Sequence, residues 1–282
     1  MKLIVDSGST KATWVLLPTG NPTERFQSQG MNPALLSDSD IVRTVKERIP
    51  EELKGKPVKE VCFYAAGCRG EREASAICTA LHEAWTDAET FAASDILGAA
   101  RAVCGTEPGV AAILGTGSNC AVYHPEKGIV AATPPLGYIL GDEGSGADIG
   151  KTMVNAALKG LWSKELKKRF LNDHNLDQNT IIEKVYREPE PNRFLASLAL
   201  WAKENICDRQ VEELVISRFT AFLRHNLSTL PDAKNLPAGF VGSIAAGFEP
   251  QLRKACAMHG VAVGKIYKSP ADGLEHFHRN NK

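Results

Sequence analysis

The residues of this chain best suited to chemistry are gathered in short glycine-rich turns. The first turn, Asp6-Ser7-Gly8-Ser9-Thr10-Lys11, sets a carboxylate, three hydroxyls, a glycine and an ammonium directly after the apolar run Leu3-Ile4-Val5. Backbone N–H groups of a glycine turn can approach phosphate oxygens closely, hydroxyls add donors, and a carboxylate can hold Mg2+ through its water shell. A polar hairpin tip has the same composition, so this turn alone leaves both readings open. A second turn, Gly115-Thr116-Gly117-Ser118-Asn119, offers another set of donors. Two such turns on domains that face each other across a cleft would clamp a phosphate chain.

Three further places could complete a site. Asp95 closes the run Phe91-Ala92-Ala93-Ser94 and precedes a helix. A carboxylate there can cap that helix, or accept a proton from an attacking hydroxyl at the carboxyl end of a strand. The stretch from Gly137 to Gly146 sets Asp142 and Glu143 among four glycines, a density that implies close backbone approach. The acids favour recognition of a polyhydroxyl ligand, with Asp142 or Ser145 as the cap of the next helix being the other reading. Gly242 to Gly247 joins a strand to a helix through small residues, where a flat ring could lie against backbone.

The remaining polar residues point to structure. His82, His124, His174, His225, His259, His276 and His278 lack partners at metal-ligand spacing and read as structural or solvent-facing. Lys164, Lys167, Lys168 and Arg169 form a solvated helix face. The seven cysteines include no CxxC pair, and most are expected to be buried free thiols. Lys plus Arg and Asp plus Glu both number 33, so no net field attracts a nucleic acid or an anionic membrane. A composition 43% hydrophobic and 23% charged excludes disordered, collagen-like and disulfide-stapled chains. Asp6 interrupts the N-terminus before a signal-peptide apolar region can form, and the longest apolar stretch, Phe194 to Ala202, is broken by Ser197. The expectation is a reduced, cytoplasmic, soluble protein with a small-molecule partner.

The elements that must position these residues alternate as in an α/β protein. Leu3 to Val5 and Ala12 to Leu17 make a hairpin around the first turn, and Val110 to Leu114 with Cys120 to His124 make one around the second. Laying Asp6 on Gly115 aligns the two as a duplicated unit. Helices are expected over Ser39–Ile49, Glu71–Trp85, Ile96–Val103, Ala147–Leu161, Ser163–Leu171, Phe194–Ala202, Val211–Leu230 and Gln251–His259. Strands are expected at Val58–Ala66, Thr90–Ala93, Phe240–Val241 and Lys265–Tyr267, with a tail helix after Pro270. Asn172–Asn179 and Arg187–Asn192 read as surface loops. The domains are expected as 1–108 and 109–282, the tail from about residue 270 being able to pack back on the first.

These motifs, in this order, resemble the sugar kinase, Hsp70 and actin ATPase superfamily. Within it they resemble the BadF/BadG/BcrA/BcrD-type family that includes N-acetylglucosamine kinases, over nearly the whole chain. Asp6 to Lys11 looks like the first phosphate motif, Gly115 to Cys120 the second, and Gly242-Ser243-Ile244-Ala245-Ala246 the adenosine motif. Gly115 to Cys120 and Leu140-Gly141-Asp142-Glu143-Gly144-Ser145 look like N-acetylglucosamine kinase signatures.

The resemblance implies two RNase H-like α/β domains with a ligand cleft between them, ATP and Mg2+ as cofactors, and an amino sugar phosphorylated on its 6-hydroxyl. It implies Asp95 as catalytic base and Asp6 as the residue that holds Mg2+ through water. It implies Ser9, Thr10, Lys11, Gly115, Thr116, Gly117, Gly242, Ser243, Ala245 and Ala246 around ATP, and Asn32, Ser118, Asn119, Gly137 and Asp142 around the sugar. Relatives are often dimeric, so a homodimer fits the resemblance. Ser7 stands where the family commonly has Gly, and Pro135-Leu136-Gly137 where animal members have Gly-Trp-Gly, which leaves the exact amino sugar open. Two other readings remain in the same superfamily. One is an ATPase activator of a 2-hydroxyacyl-CoA dehydratase, with Cys104 and Cys120 toward an iron–sulfur cluster. The other is a non-catalytic sugar sensor.

Overall fold

The computed structural model describes residues 1–18 and 20–280 of the chain. In chain order its first strands and helices are β1 (Lys2–Ser7), β2 (Lys11–Leu17), β3 (Glu24–Gln29), α1 (Asp38–Arg48), β4 (Glu60–Ala65), α2 (Glu71–Ala84), β5 (Glu89–Ser94) and α3 (Asp95–Cys104). There follow β6 (Gly109–Leu114), β7 (Ser118–His124), β8 (Gly128–Ala132), α4 (Gly137–Leu140), α5 (Gly146–Leu158), α6 (Lys164–Asp173), α7 (Gln178–Tyr186), α8 (Pro191–Ser197) and α9 (Ala199–Glu204). The last are α10 (Arg209–His225), β9 (Ala238–Val241), α11 (Ser243–Gly247), α12 (Glu249–Met258), β10 (Val263–Tyr267) and α13 (Pro270–Asn280). The chain divides into two compact units, Met1–Thr106 with the tail from Ser269 on, and Glu107–Lys268.

Each unit is built on a five-stranded sheet, and the two sheets share one topology, β3-β2-β1-β4-β5 and β8-β7-β6-β9-β10. In both, the first three strands run antiparallel, and the last two lie parallel to the central strand. The duplication expected from the two hairpins is therefore present as a whole fold. Its register is not ungapped, however. Ser7 pairs with Ala12 around four turn residues, whereas Leu114 pairs with Ser118 around three. Strands β3 and β8 are sheet edges that escape the sequence pattern for different reasons: β3 is largely exposed and polar, whereas β8 is a five-residue run of small and apolar residues with no alternation.

In the first unit the period-2 alternation of a strand sends neighbours to opposite faces. Leu3 and Val5 join Ile41, Val45, Ile77 and Leu81 of α1 and α2, whereas Ile4 joins Tyr64, Ala102 and Leu274 on the face covered by α3 and α13. That second face is tight. A Cβ on Gly273 would lie 2.5 Å from the Ala102 carbonyl oxygen, and one on Gly98 would lie 2.8 Å from the Tyr64 ring. The second unit packs a larger core, in which Phe170, Trp201, Phe219 and Phe222 of the added helices meet β6 and β9.

The added helices hold most of the differences from the sequence reading. The segment read as the loop Asn172–Asn179 contains the end of α6 and the start of α7. Asp177 caps α7 by accepting from Thr180 N at 2.8 Å, while Thr180 Oγ1 accepts from Asp177 N at 3.0 Å. Polar composition here signals a helix cap as well as a turn. The expected loop Arg187–Asn192 ends where Pro191 opens α8, Phe194–Ala202 is broken at Leu198 into α8 and α9, and α10 stops at His225 before a 3-10 turn, Leu227–Thr229. Among the described residues, no helix is long and apolar enough to cross a membrane. Cys62, Cys68, Cys120 and Cys256 are buried, Cys78 and Cys104 partly so, and Cys207 is exposed; all seven are free.

Helix α13 returns to the first unit through polar as well as apolar contacts. Arg25 pairs with Asp272 and, at 2.8 Å, with Glu275. The buried His278 ring lies 2.8 Å from the Tyr64 hydroxyl, which accepts a 2.7 Å hydrogen bond from Arg101. Glu60, Cys62 and His278 stand close enough to hold a metal, but Lys2 already pairs with Glu60 at 3.0 Å and the Tyr64 contact occupies the imidazole. They form a satisfied polar network.

Burial, and then the charges of Lys2 and Arg101, push His278 down to about 3. The folded state therefore takes up this proton only near pH 3, whereas the unfolded chain takes it up near the ordinary value of 6.5. Stability linked to neutral His278 is complete above pH 6.5 and declines as the pH falls below it, by at most about 1.4 kcal/mol per pH unit. His278→Gln is expected to destabilise at pH 7.5, with a deficit against wild type that shrinks toward pH 5. Urea unfolding across that range checks this, and a constant deficit would show that His278 is not the titrating group.

Candidate functional site

The first unit carries two carboxylates at the carboxyl ends of parallel strands. Asp6 is the next-to-last residue of β1, paired with Tyr64 of β4, and Asp95 directly follows β5 on the other side of β4. Ser94, not Asp95, caps α3, its hydroxyl accepting from Leu97 N at 3.4 Å. The capping alternative for Asp95 thus falls to its neighbour. One Asp95 oxygen accepts from Ile96 N at 2.8 Å, and burial outweighs that bond to raise the carboxyl above its ordinary range. Burial and the facing charge of Asp95 push Asp6 up to about 7, against one lowering contact, the Ser269 hydroxyl at 3.3 Å.

Around Asp6 the first turn is fixed by backbone. Gly8 N donates to the Lys11 carbonyl and Gly30 N to that of Thr10, both at 3.0 Å. Ser9, Thr10 and Lys11 are left exposed at its tip. A Cβ on Gly30 would lie 1.9 Å from the Gly8 carbonyl oxygen, so the start of Gly30-Met31-Asn32-Pro33 can seal the turn only as glycine. The buried Ser7 hydroxyl accepts from Met31 N at 3.4 Å, so serine is accommodated at this position of the turn. Asn32 is exposed, and its side chain accepts from Ala34 N at 3.1 Å. It lies against Gly67, whose Cβ would come 2.0 Å from Asn32 Oδ1. Gly67 is a supporting residue that sequence reading missed; the Gly after the strand end Ala65-Ala66 was its only signal.

In the second unit the turn Gly115-Thr116-Gly117 is braced from beneath by α5, whose first N–H groups would otherwise lack partners. Gly146 N donates to the Gly115 carbonyl at 2.8 Å and Ala147 N to that of Thr116 at 3.2 Å. Asp142, at φ 59°, accepts from Ser118 N at 3.0 Å, and a Cβ on Gly117 would come 2.9 Å from its Oδ2. Burial raises Asp142 above the ordinary range, partly offset by the Ser118 bond. Asn119 accepts from Cys120 N at 2.8 Å, and Gly137, exposed at φ 73°, opens the one-turn helix α4.

The structure narrows two readings of this loop. Ser145 caps α5, accepting from Asp148 N at 3.1 Å, so Asp142 is not needed there. The glycine density is only partly available to a ligand, because Gly144 approaches Phe222 and Gly146 approaches Ala196, where added Cβ atoms would lie 2.9 Å and 3.1 Å away. Glu143 is turned to His225 and Asn226, each at 3.2 Å; their hydrogen bonds and its own backbone N–H overcome burial and hold it below the ordinary range. In the Gly242 turn, Ser243 is exposed and Ala246 partly so, but Ala245 lies wholly in the core and presents no side chain to a ligand. Cys120 is also a core residue, its thiol pushed up to about 12 by burial, an environment opposed to thiolate ligation of a cluster.

Comparison with known proteins places this geometry. No protein-family model matches the chain. A crystal structure from Porphyromonas gingivalis, of a protein named as a candidate N-acetylglucosamine kinase, matches with a TM-score of 0.92 at 37% identity, over 100% of this chain and 99% of that one. The chain belongs to that N-acetylglucosamine kinase-like family. A second such candidate, from Chromobacterium violaceum, shares the fold at a TM-score of 0.71 and 20% identity, over 98% of both chains. The N-acetylmuramic acid/N-acetylglucosamine kinase of Clostridium acetobutylicum is 38% identical over 96 residues, 32% of this chain and 31% of that protein. That match thus spans about a third of the curated relative.

Gly242 is the tightest backbone joint of the second unit's site. At φ 123°, its Cβ would lie 2.1 Å from the Leu114 carbonyl oxygen and 3.2 Å from Gly115 N. Gly242→Ala is expected to cost about 2 to 4 kcal/mol of unfolding free energy, measured by denaturant titration, because backbone on both sides must move. A loss below about 0.5 kcal/mol, the scale of a surface change, would contradict this joint.

Proposed function

We propose that this protein is an ATP-dependent amino-sugar kinase that transfers the γ-phosphate to the 6-hydroxyl of N-acetylglucosamine or a close relative. The observation that carries the reading is Asp95, a carboxylate freed from capping by Ser94 and raised by burial at a strand's carboxyl end. Family membership and the two glycine-hydroxyl turns support it. A base with a raised pKa suits the abstraction of a hydroxyl proton near neutral pH. Asp95 accepts that proton as the sugar oxygen attacks phosphorus. Asn32, Ser118, Asn119, Gly137 and Asp142 orient the sugar; Ser9, Thr10, Lys11, Gly115, Thr116 and Gly117 hold the phosphates, and Gly242, Ser243 and Ala246 take the adenosine.

Mg2+ in such a reaction neutralises charge on the transferring phosphoryl group. Asp6 fits the duty of holding it through water, as a carboxylate with one long hydrogen bond beside a second acid, a pair that a cation would relieve. The rest is positioning: backbone N–H groups at the exposed tips of the turns and the hydroxyl of Thr10 would donate to oxygens that gain charge.

The test is ADP release with Mg2+ and ATP across N-acetylglucosamine, glucosamine, N-acetylmannosamine, N-acetylmuramic acid and glucose. Sugar-dependent release by the wild type is expected to fall roughly 10²- to 10⁴-fold in kcat for Asp95→Asn, with sugar binding nearly intact. Unchanged turnover would remove Asp95 from the mechanism, and no stimulation by any sugar would overturn the kinase reading. Asp142→Ala is expected to raise KM for the sugar; a change confined to the KM for ATP would reassign it.

A further inference from the structure

We propose that Ser269 is a positioning residue that orients the Asp6 carboxylate toward the metal, an inference that rests on the proposed role of Asp6. The Ser269 hydroxyl stands between two partners, accepting from Ala271 N at 3.3 Å and donating to Asp6 Oδ2 at 3.3 Å. A hydroxyl has a single proton to give. The Ala271 N–H, part of the first turn of α13, takes up a lone pair and directs that proton to Asp6. The bond fixes the rotation of the carboxyl group, so that its remaining lone pairs would be presented in one orientation to a hydrated cation. The bond also favours the ionised carboxylate against the burial and the Asp95 charge that oppose it.

The position of Ser269 in the chain gives this contact a second meaning. The division between the units falls between Lys268 and Ser269, so the residue that begins the return to the first unit is the one bonded to Asp6. Pro270 follows at the start of α13, fixing the backbone there. Helix α13 is held independently by Arg25 on Asp272 and Glu275 and by His278 on Tyr64. Loss of the hydroxyl therefore leaves the helix docked and loosens Asp6.

The experiment measures Mn2+ binding, by electron paramagnetic resonance of the free ion, to the full chain with a non-hydrolysable ATP analogue. Ser269→Ala is expected to weaken Mn2+ binding about five- to tenfold, the loss of one long hydrogen bond, and Ser269→Thr to restore it. Arg25→Ala, which removes two ion pairs of α13, is expected to lower Tm without changing Mn2+ affinity. Wild-type affinity in Ser269→Ala, or weakening by Arg25→Ala equal to that by Ser269→Ala, would overturn the positioning role. Asp6→Asn separates the two levels. If it weakens Mn2+ binding while Ser269→Ala does not, the inference fails alone; if Asp6→Asn also binds as wild type, the metal-holding reading of Asp6 fails and takes the inference with it.

Discussion

The constraint on which the first unit's site depends is the electrostatic cost of burying two carboxylates at the same end of one sheet. Strands β1 and β5 flank β4, and the parallel register delivers Asp6 and Asp95 to the same end of the sheet. Burial raises both carboxyls, and at Asp6 the charge of Asp95 adds to the rise. The surrounding structure holds the pair by over-determining its supports. Gly30 seals the first turn, Gly8 closes it, and Ser94 caps α3 so that Asp95 need not. On the proposed reading, a dication and a proton in transit are the two partners that relieve this repulsion, so an arrangement unfavourable in isolation becomes favourable in use.

The second unit solves a different problem with the same topology. Its turn at 115–117 carries no carboxylate of its own, and Asp142 comes to it from the loop before α5, accepting from Ser118 N where Gly117 lets it approach. The N-terminus of α5 satisfies the turn's carbonyls, and Gly242 packs against Leu114 and Gly115 from the other side. Duplication thus supplied the frame, while the loops joined to each frame set its charge. The larger helical content of the second unit gives α5 a buried seat among α8, α9 and α10, which fixes the brace under the turn.

Much of this was legible in the sequence where apolar runs and glycine turns coincide. The two hairpins, the parallel strands after them, Asp6 and Asp95 at strand ends, and the acid loop before α5 all carry local signals of period or turn chemistry. Edge strand β3 carries none, because a half-solvated edge tolerates Glu24, Arg25 and Gln27 as readily as valine, and β8 is too short an apolar run to show a period. Helix α7 was hidden by its capping box, since Asp177 and Thr180 read as turn residues until their reciprocal bonds are seen. The meaning of a glycine was the least legible. Gly117 and Gly67 make room for Asp142 and Asn32, whereas Gly144 and Gly146 make room for Phe222 and Ala196, and composition alone cannot separate the two uses. Ala245 fell into the core because only one side of so short a helix faces outward.

The network at the far end of α13 shows how the same chemistry is settled when no ligand is involved. Glu60, Cys62, Tyr64, Arg101 and His278 include more titratable groups than the strand-end site, yet each of the charged ones has a partner within the protein. Lys2 answers Glu60, Tyr64 joins Arg101 to His278, and burial keeps both the Cys62 thiol and the imidazole neutral. Among the described residues neither Asp6 nor Asp95 forms an ion pair; the contacts that stabilise them are the Ser269 hydroxyl on Asp6 and two backbone N–H groups, of Ile96 and of Asp95 itself, on Asp95. A polar cluster that is complete by itself rigidifies a fold, whereas one that lacks a counter-charge is poised to accept it from outside. By that criterion the two ends of α13 have opposite roles in one unit: the His278 end anchors the helix, and the Ser269 end delivers a hydrogen bond to a carboxylate that has no ion pair among the described residues.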